Sequence, residues 1–257
     1  MRLWTPGRAY SALRDQLGSI RRVYLAGNRV VRRSDFRRHP ENVLLLHGYF
    51  QTRSIWNTME DRLRFDGYGV VSFDLGGAMS RFNTRPLDEL AAIVADKVES
   101  LAQRHSVQSL HIIGHSKGGL LARRYVQHYD GAARVRSVIT LGTPHHGTPT
   151  AALAVGLGMF LRTNSGRDLL PNSRVVKRLN EERWPAGIPL TSIYSKSDLV
   201  CPYWCAQLRH EEDPQFTNIE IPRTGHSELA WDSAVYRNVL EQLRSNPIAA
   251  TEAAVAE

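Results

Sequence analysis

Three residues of this 257-residue chain have the types and order that nucleophilic acyl chemistry needs. Ser116 stands in LHIIGHSKGGLLARRY (110–125), inside a G-x-S-x-G pattern made by Gly114, Ser116 and Gly118. A serine hydroxyl is a poor nucleophile until a neighbouring base takes its proton, and that base needs a third group to orient it. On a strand-to-helix elbow the partners follow in the order serine, acid, histidine. SKSDLVCP (195–202) offers Asp198 and PRTGHSEL (222–229) offers His226, each just past an apolar strand pattern. His210 and Asp213 compete from the charged run RHEEDP, which reads as a solvated loop, and Asp232 competes from inside the last helical pattern. The strand-end positions favour Asp198 and His226.

A developing oxyanion needs preorganised donors. The backbone N–H of Lys117, directly after the serine, is expected to be one. The second is expected from LLLHGYFQT (44–52), where Gly48 permits a tight turn and the N–H of Tyr49 is favoured, with that of Phe50 as fallback. His47 is read as a hydrogen-bonding support of this loop, and the Lys117 side chain as the start of a helix without chemical role.

These groups must be held by regular elements. From residue 42 onward, short apolar runs alternate with helical patterns, which predicts a mostly parallel sheet covered by helices on both faces. The strands are expected at Val43–Leu46, Gly69–Phe73, Leu110–Ile113, Val135–Leu141, Leu190–Tyr194 and Phe216–Ile221. Helices are expected at Ile55–Phe65, over the stripe Leu87 to Leu101, from Lys117 to about Tyr129, and at Leu229–Leu243. The candidate residues then all follow strand C-terminal ends, where open α/β sheets place their sites. Residues 142–188 are the one long interruption, with a small cap inserted over about 148–188.

Composition is that of an ordinary globular protein, 42% apolar and 23% charged. Residues 1–40 hold ten Arg, no Lys and two Asp, so this segment alone carries the net charge of +8, and the body is neutral. Leu13, Leu17, Ile20 and Tyr24 recur there at helical spacing, which fits either a helix packed on the domain or one lying on an anionic membrane surface. The neutral body offers no basic face for nucleic acid. No apolar run reaches the length of a membrane span, and no secretory pattern opens the sequence, which points to a cytoplasmic protein with or without membrane association. Secretion stays open should a leader have been removed. Cys201 and Cys205 make neither a disulfide framework nor a zinc site. The chain divides into an Arg-rich segment (1–40), one α/β domain (41–244) and a frayed tail (245–257).

LLLHGY, GHSKGG, LGTPHHGT (141–148), SDLVCP and TGHSEL together resemble the α/β-hydrolase superfamily, and within it bacterial lipases and esterases. The resemblance covers roughly residues 42–244. It implies an α/β-hydrolase fold and a serine hydrolase of carboxylic esters, with Ser116, Asp198 and His226 as triad, Tyr49 and Lys117 as oxyanion donors, and a small-molecule or lipid ester as substrate. It also implies a structural role for His145, and either a mobile lid or an ordinary cap packed on the body over GTPTAALAVGLGMFLRTNSG (147–166). Leu153, Leu157 and Phe160 of that stretch, with Tyr49 and Phe50, would form the acyl-accepting wall. No cofactor or metal is expected. Acyl transfer to another acceptor, thioester cleavage and a catalytically silent binding module remain the alternatives.

Overall fold

The structure, a computed structural model, describes residues 39–77, 83–151, 164–209 and 213–248. The N-terminal arginine-rich segment up to residue 38, the proposed wall residues Leu153, Leu157 and Phe160, His210 and residues 249–257 lie outside the described residues.

Six strands form one parallel sheet: β1 (Asn42–Leu46), β2 (Gly69–Ser72), β3 (Leu110–His115), β4 (Val135–Leu141), β5 (Leu190–Tyr194) and β6 (Phe216–Glu220). Their spatial order is β2-β1-β3-β4-β5-β6. Side chains alternate across a strand, so one run feeds two cores. Leu44, Leu46, Ile112 and Val138 face α2 (Leu87–His105) and α3 (Lys117–His128). Val43, Leu45, Ile113 and Ile139 face α1 (Asn57–Phe65) and α7 (Ser233–Ser245). The strand order reverses direction between β1 and β3, the place where open α/β sheets form their ligand crevices. The loop after β1 and the elbow after β3 flank this point.

Between β4 and β5 the insertion carries α4 (Asn164–Arg167) and α5 (Arg174–Glu181), and α6 (Tyr203–Ala206) follows β5. Asp168 beside α4 accepts the Leu87 N–H at 2.8 Å, which ties the insertion to the N-terminus of α2.

Two boundaries differ from expectation for a stated reason. Ile55 lies in a 3-10 turn, Arg53–Trp56, and the α-helix begins at Asn57. The last helix begins at Ser233 instead of Leu229, because the Asp232 carboxylate caps it, accepting from the N–H groups of Ala234 (2.7 Å) and Val235 (3.0 Å). Asp232 is therefore an N-cap and not a water-facing residue inside the helix.

Candidate active site

Ser116 joins β3 to α3 with φ 54° and ψ −123°, a conformation that L-residues rarely adopt. The elbow is tolerated because its neighbours lack side chains. A Cβ on Gly114 would stand 2.6 Å from the backbone of Gly118, and one on Gly118 would stand 2.0 Å from the Leu46 carbonyl oxygen. Backbone contacts then pin it: the Ser116 N–H donates to the Leu141 carbonyl (2.9 Å), and Thr143 Oγ1 donates to the Ser116 carbonyl (2.9 Å). The serine remains partly exposed, as a nucleophile must. The helix leaves its first-turn N–H groups without intrahelical acceptors, and that of Lys117 is one of them.

Asp198 and His226 come together at the same end of the sheet. His226 Nδ1 lies 2.7 Å from Asp198 Oδ2, with both side chains buried. The other carboxylate oxygen, Oδ1, accepts the N–H groups of Val200 (2.9 Å) and Cys201 (2.8 Å). An ionised carboxylate with this many donors is fixed in rotation, and so fixes the imidazole it holds. Gly142, at φ +54°, packs against the pair; a Cβ there would stand 3.0 Å from Asp198 Oδ2 and 3.2 Å from His226 Nδ1.

The loop after β1 lies directly over the serine. A Cβ on Gly48 would be 2.9 Å from Ser116 Cβ. The Phe50 N–H donates to the Asn83 carbonyl at 3.2 Å, which commits it and removes the fallback oxyanion donor. His47 supports the loop as expected. Its Nε2 accepts from the Leu75 N–H (3.1 Å), which puts the ring proton on Nδ1, 3.3 Å from the Gly48 carbonyl. Burial lowers its pKa to about 4, so the ring stays neutral.

Several participants carried no local signal. Gln51 Oε1 accepts the Gly48 N–H (2.8 Å) and sits 3.0 Å from His115 Nδ1, while His115 Nε2 sits 2.9 Å from the His226 carbonyl oxygen. Burial, then the nearby His226 ring, lower the His115 pKa to about 3. A neutral imidazole has one N–H, so His115 serves one of these two oxygens at a time. It thereby bridges the loop over the serine and the loop of the candidate base. His145 is structural: Arg123 Nη1 donates to its Nδ1 (3.3 Å), its Nε2–H faces Thr140 Oγ1 (3.0 Å), and its carbonyl holds Asn180 (2.9 Å).

The other acidic candidate, Asp213, is occupied in its own turn, where its Oδ1 accepts the Gln215 N–H. Among the described residues no cluster of three or more His, Cys, Asp or Glu side chains could hold a metal ion, and no helix is long and apolar enough to cross a membrane. Both cysteines are buried thiols.

Comparison with known proteins follows the same outline. Residues 41–166 match the family model described as the alpha/beta hydrolase fold, a region that holds β1 to β4 and Ser116 but ends before Asp198 and His226. Methylesterase 10 of Arabidopsis thaliana is 28% identical over 116 residues, 43% of this chain, and the aligned part spans 40% of that protein. The mature Bacillus licheniformis lipase BlEst2 superposes with a TM-score of 0.65 at 17% identity, covering 79% of this chain and 91% of its own. A monoacylglycerol lipase from Paleococcus ferrophilus gives 0.59 at 19% identity, with coverage of 81% and 96%. A bromoperoxidase from Bacillus anthracis gives 0.56 at 18%, with coverage of 79% and 91%, so this architecture hosts more than one chemistry. The six-stranded parallel sheet, the strained elbow at Ser116 and the match over residues 41–166 agree that the chain has the α/β-hydrolase fold.

Proposed function

We propose that the protein is a serine hydrolase of carboxylic esters, with Ser116 as nucleophile, His226 as general base and acid, and Asp198 as its orienting partner. The observation that carries this reading is the buried Asp198–His226 hydrogen bond at the same sheet end as the strained Ser116 elbow. In the first half-reaction Ser116 Oγ adds to the ester carbonyl while His226 Nε2 takes its proton. The oxyanion is received by the N–H groups of Lys117 and Tyr49. Collapse expels the alcohol, which regains the proton from His226, and water attacks the acyl-enzyme through the same histidine. Exposed apolar groups next to site residues in the chain, Phe50 on the loop after β1 and Val200 on the acid loop, favour an uncharged ester with an apolar acyl or alcohol part. The lipase and methylesterase names among the relatives agree with that substrate class.

A p-nitrophenyl ester series from C2 to C16 tests the reading. Ser116→Ala is expected to lower kcat by at least about 10³-fold at every chain length. Equal, slow release of nitrophenol by both proteins would remove the enzyme reading. Product analysis with added alcohols separates hydrolysis from acyl transfer. A second expectation concerns Gly142→Ala. The new methyl group must stand at positive φ and press on Asp198, His226 and Leu229, so kcat for the butyrate ester should fall about 10²-fold, the scale of an ångström-sized misplacement. An unchanged kcat in the folded variant would take Gly142 out of the site.

A further inference from the structure

Lys117 opens α3, and packing does not account for its burial. Its side chain is shielded completely from solvent, an unusual state for a lysine. It also stands at the positive end of the helix dipole, where a cation is disfavoured. Among the described residues no contacting carboxylate offsets either penalty. Nζ donates to Asn83 Oδ1 (2.8 Å), to the Arg85 carbonyl (2.5 Å) and to Ser165 Oγ (2.5 Å). Asp168 and Glu89 act on it only through space, and burial lowers its pKa to about 7.

Its partners give that cost a purpose. Asn83 is itself buried and laces the loop after β1. Its Nδ2 donates to the His47 carbonyl (2.9 Å), its carbonyl accepts the Phe50 N–H (3.2 Å), and its own N–H donates to the Gln51 carbonyl (3.3 Å). Peptide groups on both sides of Tyr49 are thus set by one asparagine, whose remaining polar atom, Oδ1, is held by Lys117. The ammonium also lies 5.7 Å from the centroid of the Tyr49 ring.

We propose that Lys117 is a positioning residue of the oxyanion hole, its side chain acting through Asn83 to fix the Tyr49 loop against the Lys117 backbone that supplies the other donor. The inference rests on the ester-hydrolase reading above. One residue then sets the separation of two donors that belong to different loops. The hold does not require the charge: a neutral amine still donates to Asn83 Oδ1 and the Arg85 carbonyl while accepting from the Ser165 hydroxyl.

Lys117→Met keeps the apolar stem and removes the N–H groups. On p-nitrophenyl butyrate it is expected to lower kcat about 10²-fold, the usual scale for one impaired oxyanion donor, with KM within about twofold. Inhibition by an alkylboronic acid, whose tetrahedral serine adduct uses the hole, should weaken by the same factor. Binding of the unreactive p-nitrophenyl butyl ether should not change. A folded Lys117→Met with kcat within threefold of wild type, or with a change in KM alone, overturns the proposal. Should that variant not fold, Asn83→Ala takes its place from the loop end of the contact, with the same expected losses and the same overturning results. Failure of both to fold assigns the network to stability and also overturns the proposal. Ser116→Ala run in parallel keeps the two readings apart: activity in that variant retires the hydrolase reading, whereas its inactivity beside a fully active Lys117→Met retires only the positioning role.

Discussion

Asp198→Asn is expected to lower kcat by about 10⁴-fold while leaving the fold in place. The direction follows from the two amides that the carboxylate serves. The N–H groups of Val200 and Cys201 both point at Oδ1, and His226 Nδ1 meets Oδ2. An asparagine has one oxygen, and the two amide donors claim it, because turning the NH₂ toward them would orphan both. The NH₂ group must then face His226 and donate to Nδ1. That moves the imidazole proton to Nε2, so the nitrogen meant to take the serine proton is already protonated. The check is kcat on the butyrate ester together with the ¹⁵N shifts of His226, which should report the exchanged tautomer. A loss below tenfold would mean that Asp198 does not orient the base. Asp198→Ala is the contrast. It leaves the tautomer unforced but strands two N–H groups, and is expected to cost about 1–3 kcal/mol of stability for each group left buried and unpaired.

The residues in that prediction were readable from sequence because of where the strands end. β4 and β5 run over Val135–Leu141 and Leu190–Tyr194, the bounds expected, because short runs dominated by β-branched and apolar residues keep a strand pattern even with Ser and Thr inside them. Once the strands are placed, Asp198 and His226 follow as the first suitable side chains beyond β5 and β6. What escaped notice depends on contacts between distant segments. His115 and His226 are 111 residues apart, and Lys117 and Ser165 are 48 apart, so no local period records either bond. Lys117 illustrates the difficulty. As the first residue of a helix it reads as a solvated lysine, and only the arrival of residues 83–85 and 165 over it turns it into a buried donor. Gly142 escaped for the opposite reason. Its positive φ belongs to a tight turn, and the carboxylate and imidazole beside it come from two other loops.

Stability is expected to fall steeply as pH drops below about 6.5, the ordinary histidine value, because burial keeps the imidazoles of His47, His115 and His145 neutral in the native state. Desolvation lowers His47 to about 4 and His115 to about 3, and holds His145 well below its ordinary value. The unfolded chain protonates all three near pH 6.5, while the native chain protonates His47 only at about pH 4 and His115 at about pH 3, and resists protonation of His145 in the same direction. Over that window the unfolded state binds more protons, so unfolding free energy rises with pH and is lost on acidification. Each histidine contributes a slope that reaches about 1.4 kcal/mol per pH unit only well below pH 6.5, so over the whole window from pH 7.5 to 5.5 the three together remove about 4 kcal/mol. Against a typical total of about 5–15 kcal/mol, that is a large share of the stability. Urea titrations at pH 7.5, 6.5 and 5.5 measure the slope directly. His145→Asn discriminates the cause: it lowers stability at every pH but should reduce the slope, and an undiminished slope would assign the acid sensitivity to other groups. Activity should fail in the same window and for the same reason. His47 supports the loop that carries Tyr49, and His115 bridges that loop to the His226 carbonyl. His47 cannot accept a proton without giving up the Leu75 N–H that Nε2 holds, and His115 cannot be charged without the cost of its complete burial, so acid inactivation at these two residues and loss of the fold are one event.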